Sequence, residues 1–342
     1  MYKTNTFTAW ALTLLALTIV GGCKTASLSE APDQLPGWND GPHKQSIVSF
    51  VERVTSPDDP GFVPVQDRIA VFDNDGTLWS EKPVYFQFLF VLGRIQAMAA
   101  EHPDWAERQP FKAVIENDFA TLFSLDEALL AELFVATHSG ISNAEFEENV
   151  RQWLSIARHP ETGRPYTEMV YQPMLELLDY LRSKQFKTFI VSGGGVSFIR
   201  PWAEDVYGIR KDQIVGSSAE MTYEQRGERF VIQRQADMHF LNNKAGKPVS
   251  IQRFIGRRPI MAVGNSDGDY EMLQWTTAGE GERLGILLHH TDAQREWAYD
   301  RESRGGRLDK GLDDAPTYGW IVIDMARDWN VVHAPGQAAT SP

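Results

Sequence analysis

The chain has 342 residues, 42% of them hydrophobic, and a formal net charge of −13. That length holds a substantial core in one large domain or two. The acidic balance excludes nucleic acid as the expected partner, and it excludes docking to a membrane through a basic patch.

The N-terminus carries Lys3 and then an apolar run over residues 7–20, FTAWALTLLALTIV, which leads into VGGC ending at Cys23. The run is short for a bilayer span and small residues follow it, so residues 1–22 read as a secretory signal. Cys23 is the single cysteine of the chain, which rules out an internal disulfide. Small residues followed by a lone cysteine resemble a bacterial lipobox. The resemblance implies cleavage before Cys23, lipidation of its thiol, and a periplasm-facing place in the cell envelope with the lipid as sole anchor. A plain signal peptide or signal anchor with an incidental cysteine is the alternative. Residues 24–46 are rich in Pro, Gly, Ser and Asp and read as a tether, so the fold is expected from residue 47.

From residue 68 short apolar runs alternate with amphipathic stretches. Residues 69–72, 188–191, 260–263, 285–288 and 320–323 are expected strands, and 196–206, 270–275 and 292–299 expected helices. Fully apolar strands between helices predict a parallel sheet covered on both faces, a doubly wound α/β domain. Residues 79–168 break the alternation. They predict helices over 84–100, 111–123, 126–137 and 143–157, with Ser142 and Glu145 spaced as a capping box. This block reads as a helical cap inserted into a core of residues 47–78 and 169–335. A smaller insert, 217–235, predicts a hairpin turning at Arg226 and Gly227.

The first strand runs into its most informative stretch, RIAVFDNDGTLWSE, residues 68–81. By itself NDG is a hairpin turn signal. The segment after it, however, does not alternate as a second strand would. In an open parallel sheet, ligands bind beyond the carboxyl ends of strands, where Asp73 and Asp75 fall. Two like charges there need a cation or a proton between them. Other strand ends carry reactive residues too. FIVSGGG, residues 189–195, offers Ser192 and backbone N–H groups suited to a phosphate oxygen. NNKAGKPVSIQRFIG contains Lys244 and Lys247, either of which could place a point charge over a phosphate. Lys247 is favoured because it starts the helix expected over 248–255. PIMAVGNSDGDYEML ends a strand in Asn265, Asp267 and Asp269, oxygen donors suited to Mg²⁺.

In this order, DNDGT, SGGG, a helix-starting lysine and GNSDGD resemble the four motifs of the haloacid dehalogenase-like phosphohydrolase superfamily. The helical insert is similar to the C1 cap of its phosphoserine-phosphatase-like branch. HHTDAQREWAYDR with GWIVIDMARDW is similar to a bacterial lipoprotein subgroup. The resemblance implies an aspartyl-phosphate mechanism: Asp73 as nucleophile and Asp75 as general acid and then base. It implies Ser192, Gly193 and Lys247 at the phosphoryl group. It also implies Mg²⁺ on Asp73, the Asp75 carbonyl and the last motif, through Asn265 or Asp269, with Asp267 as a possible substitute. Asp75 separates this pattern from dehalogenases and phosphonatases, which lack that acid. The expected activity is hydrolysis of a small phosphomonoester.

Two departures bear on this. Asn265 stands where the last motif begins with Asp. Lys82 occupies the place where phosphoserine phosphatases carry a substrate-contacting Glu, with Glu81 one position short of it. A non-catalytic lipoprotein that binds a phosphorylated ligand or a partner protein is the alternative function. Trp79, Tyr85, Phe86 and Phe88 could wall a pocket for a leaving group, though ordinary packing explains them as well. His289 and His290, at a strand end, could reach the site, but are expected on the surface or in the core.

Overall fold

β1 (Ile69–Phe72) lies in the middle of a seven-stranded sheet in the computed structural model, which describes Met1 and residues 33–334. The signal-like run and Cys23 fall outside the described residues. The other strands are β2 (Lys187–Gly195), β3 (Ile214–Arg226), β4 (Arg229–Phe240), β5 (Met261–Gly264), β6 (Leu284–His289) and β7 (Ile321–Asp324). Their order is β4-β3-β2-β1-β5-β6-β7, parallel throughout except for the antiparallel pair β3–β4. This is the expected doubly wound α/β core.

All four residues of β1 are buried because helices cover both faces. Alternate side chains enter opposite cores. Ile69 and Val71 pack with Ile251, Tyr270 and Leu273, while Ala70 and Phe72 pack with Ile47, Leu177 and Phe198. The chain steps from β1 to β2 on one side and later crosses to β5 on the other. That reversal opens a crevice at the carboxyl ends of β1, β2 and β5.

Helices dominate between β1 and β2: Phe86–Met98, Phe111–Ile115, Phe119–Ser124, Glu127–His138 and Asn143–Ile156. The last starts in the expected capping box. Ser142 Oγ accepts from Glu145 N at 3.2 Å, and Ser142 N donates to the Glu145 carboxylate at 2.7 Å. Ser142→Ala should cost about 1 kcal/mol, read as a lower urea midpoint with unchanged slope. β3 and β4 form a longer hairpin than expected. It turns at Gly227 and Glu228, one residue later, with Gly227 at φ 61°. The buried Arg234 ties it to the helices through His138 O (2.7 Å), Asn143 Oδ1 (2.9 Å) and Ser197 Oγ (3.0 Å).

Several expected elements need correction. The tether does not reach residue 46: Leu35 and Trp38 are buried, Trp38 Nε1 donates to Pro173 O (2.9 Å), and a helix starts at Pro42. The proline-rich composition there marks a helix start, because proline at the first turn gives up no needed N–H. Residues 292–299 are not helical. Asp292 Oδ1 accepts from the N–H groups of Gln294 (3.1 Å) and Arg295 (3.0 Å), a local alternative to helix. The helix expected over 111–123 breaks at Asn117 (φ 57°) and restarts under an Asp118 cap. The one expected over 196–206 breaks at Pro201, which lacks an N–H, into Val196–Ile199 and Ala203–Tyr207. The one expected over 248–255 begins two residues earlier, at Gly246.

Candidate active site at the strand ends

Asp73 leaves β1 with its N–H bonded to Val263 O (2.9 Å), which pins the first motif against β5. The chain then coils tightly. Leu78 N donates to Asn74 O (2.8 Å) and Gly76 N to Trp79 O (2.8 Å). NDG is therefore a turn, but one inside a loop rather than a hairpin. Gly76 has φ 72°, and a Cβ there would stand 2.1 Å from Asn265 Nδ2, so only glycine fits. Asp75 Oδ1 accepts from Trp79 Nε1 at 2.7 Å.

Lys247 reaches in from the helix Gly246–Ser250 and is almost fully buried. Its Nζ lies 2.8 Å from Asp73 Oδ1 and 2.5 Å from Asp269 Oδ1. The hydrogen bond is directed at Asp269, so Asp73 Oδ1 is buried beside a charge but takes no hydrogen bond. Lys247, not Lys244, is thus the lysine of the site. Lys244 sits at φ 50° in the preceding loop and does not line the cleft.

The three acceptors of the last motif have different roles. Asp269 Oδ2 accepts from the N–H groups of Asn265 (3.0 Å) and Ser266 (3.1 Å), which folds the loop around it. Asp267 faces away. It accepts from the N–H groups of Asp309 (3.2 Å), Lys310 (3.2 Å) and Gly311 (2.9 Å) and so anchors the helix Lys310–Tyr318. Asn265 faces the first motif, its Oδ1 accepting from Thr77 Oγ1 (3.0 Å).

Ser192 is fully buried, and its Oγ accepts from Gly194 N at 2.9 Å, leaving its own hydrogen to donate. Gly193 and Gly194 line the cleft above it. Asn242 braces this loop by donating to Ser192 O (2.9 Å), and Ser217 by donating to Gly193 O (2.7 Å).

Glu81 is the residue whose part the sequence did not reveal. It is buried in the same cleft, and its Oε1 accepts from Asn265 Nδ2 (2.9 Å) and Tyr299 OH (2.7 Å). The one available signal was the acid missing at position 265, which invites a search for a compensating carboxylate. Lys82 points elsewhere, to Ser303 Oγ (2.6 Å) and Gly305 O (2.9 Å). His290 reaches the first motif from below, its Nε2 2.8 Å from Gly76 O. Of the four aromatics, Tyr85 and Phe88 line the cleft; Trp79 and Phe86 are core packing, Trp79 stacked on Trp202 at 4.3 Å.

The cleft encloses about 330 Å³ between these groups, Gln87, Phe134 and Leu241. A second cavity of about 400 Å³ adjoins it between the helix Glu127–His138 and the hairpin, sharing Gln87, Phe134, Gly193 and Leu241. Burial raises the Asp73 pKa to about 8, helped by Asp269 and Asp75 and opposed by Lys247. Burial also raises Asp75, against the Trp79 hydrogen bond and Lys247. Burial pushes Glu81 up to about 7, against His290 and Tyr299. For Lys247 burial works against the charge, but Asp269 and Asp73 outweigh it and raise its pKa.

These groups suit a hard divalent ion. Asp73 brings a carboxylate to the cleft, the Asp75 carbonyl lies in the same loop, and Asn265 Oδ1 keeps a second lone pair. Among the described residues no group of three His, Cys, Asp or Glu side chains forms a ready metal cage. Any ligand set here therefore includes amide or backbone oxygens.

Acids at the ends of two adjacent parallel strands, joined by a buried lysine, form the candidate site on a Rossmann-like α/β core. The chain belongs to the haloacid dehalogenase-like hydrolase family, whose model matches residues 70–274. Solved structures are similar to the chain at low identity. A conserved protein of unknown function from Anaerococcus prevotii is 14% identical with a TM-score of 0.52, over 82% of this chain and 91% of that one. A protein of unknown function from Bordetella pertussis is 15% identical with a TM-score of 0.48, over 75% of this chain and 98% of that one. A probable phosphoserine phosphatase from Vibrio cholerae is 16% identical with a TM-score of 0.35, over 82% and 74%. No curated protein matches the chain.

Proposed function

We propose that this hydrolase is a phosphatase, cleaving a small phosphomonoester through an aspartyl-phosphate on Asp73. The observation that carries the reading is the Asp73–Lys247–Asp269 cluster facing Asp75 and the Gly193–Gly194 loop across one cleft. Asp73 attacks phosphorus and the P–O bond to the alcohol breaks. Asp75, whose pKa burial raises, gives its proton to the departing alkoxide. Asp75 then takes a proton from water, whose oxygen attacks phosphorus and releases phosphate and free Asp73. Ser192, Gly193 and Lys247 hold the phosphoryl oxygens in place, the larger part of such catalysis. Asp73, the Asp75 carbonyl and Asn265 would hold Mg²⁺, which neutralises charge on the phosphoryl group when bound. The apolar walls of the cleft and its neighbouring cavity suit an organic alcohol arm.

The test is phosphate release by the full chain in detergent from a panel of phosphomonoesters, with Mg²⁺ or with EDTA. Metal-dependent release supports the reading; folded protein that releases none over a broad panel moves it to a binding lipoprotein. The pH profile carries a second expectation. Trp79→Phe removes a donor that favours ionised Asp75, so the Asp75 pKa rises further and the alkaline limb of kcat moves to higher pH. An unmoved limb would separate Asp75 from the acid step. We also propose lipidation at Cys23 on the periplasmic side. Cys23→Ser should move the protein from the membrane to the soluble fraction.

A further inference from the structure

Asp73 and Asp269 pair with the Lys247 ammonium, and Asp75 and Glu81 line the same cleft. Lys247 is committed to Asp73 and Asp269. Glu81 has no ion pair among the described residues: Lys82, its neighbour in sequence, is turned to Ser303 and Gly305, and the His290 ring nitrogens to Glu296 and Gly76 O. Both hydrogen bonds to Glu81 fall on Oε1; Oε2 takes none among the described residues, and the carboxylate lines the cleft. A buried carboxylate without an ion pair is costly, and removing that cost takes a cation or a proton.

The surroundings hold Glu81 in place. A Cβ on Gly306 would stand 1.7 Å from its Oε1, and one on Gly76 2.6 Å. Tyr299 donates from a third side. The position matters because Asn265, the neutral residue of the last motif, is its direct neighbour at 2.9 Å. Asp73, paired with Lys247 at 2.8 Å, lines the same cleft.

We propose that Glu81 supplies the divalent cation of this site with the carboxylate that Asn265 does not. The inference rests on the metal-dependent phosphatase reading above. The acid has moved in sequence but not in space, so the site keeps its negative charge while position 265 becomes an amide. Glu81 and Asn265 then act as one pair, the amide orienting the carboxylate through its Nδ2.

The test is Mn²⁺ binding to the full chain in detergent, followed by loss of the free-ion electron paramagnetic resonance signal. Circular dichroism and a metal-free Tm check folding. Glu81→Gln should weaken Mn²⁺ at least about tenfold, the scale of lost charge and orientation around a metal. Asn265→Asp added to Glu81→Gln should restore binding to within about threefold of wild type, because it returns a carboxylate to the neighbouring atom. Should Glu81→Gln not fold, Glu81→Asp withdraws the carboxylate by one methylene and should also weaken the ion. Unchanged Mn²⁺ affinity in a folded Glu81 variant, or no recovery in a folded double variant, overturns the inference. If wild type binds Mn²⁺ and Asp73→Asn does not, while Glu81→Gln does, this inference alone fails. If wild type binds no Mn²⁺, the metal-dependent reading fails with it.

Discussion

Asp73→Asn is expected to lower phosphate release by at least about 10⁴-fold, since an amide cannot form the acyl-phosphate bond. The same change should leave the metal-free fold as stable as wild type or more so. In the folded state Asp73 has its pKa raised to about 8 from 3.8, by burial first and then by Asp269 and Asp75. A carboxyl raised in this way binds protons more tightly folded than unfolded, so it costs stability as pH climbs from the lower value to the higher. Metal-free wild type should therefore lose stability between about pH 5 and about pH 8, and Asp73→Asn should flatten that loss. Urea midpoints of both proteins in EDTA across this range measure it. A variant less stable than wild type at the alkaline end would mean that Lys247 binds Asp73 more strongly than burial opposes it. A saturating divalent ion should stabilise wild type and leave Asp73→Asn largely unmoved.

Above about pH 8, where Asp73 is ionised, Lys247→Met is expected to destabilise the protein by about 3–5 kcal/mol, because it strands two buried carboxylates at once. Asp73 and Asp269 lie 2.8 Å and 2.5 Å from the ammonium, and Asp269 has no exposed surface at all. Chemical denaturation in EDTA reads the loss. Activity should fall with it, since no other cation lines the cleft among the described residues. Adding Asp73→Asn should recover part of the stability, because one of the stranded charges is then gone. The energies of the two changes should therefore be far from additive. A Lys247→Met protein within 1 kcal/mol of wild type would mean that the two acids are protonated together and that the lysine does not hold them. An effect near 1 kcal/mol is what an exposed pair gives.

Much of this protein was legible from local spacing. Burial periodicity is a property of a few consecutive residues, so the strands at Ile69–Phe72 and the segments leading to Asn265 and Ser192 could be read directly, as could the capping box at Ser142. Acids and glycines at strand ends likewise announced a site, because the end of a parallel strand is where the chain must expose its polar groups. Local competition was harder to weigh. Asp292 drew the N–H groups of Gln294 and Arg295 out of an expected helix, and Pro42 began one inside an expected tether.

The direction each acid faces was a tertiary matter. GNSDGD offers Asn265, Asp267 and Asp269 within five residues, and nothing in that spacing tells them apart. The fold does, by giving Asp267 to the N–H groups of residues 309–311, Asp269 to Lys247, and Asn265 to Thr77 and Glu81. Glu81 and Asn265 are 184 positions apart, brought together because β1 and β5 are sheet neighbours. Strands, acids and their order along the chain could be read ahead of the fold, since each depends on residues close to one another. Which carboxylates share one ammonium depends on the fold, because charge balance is set by distances across the sheet.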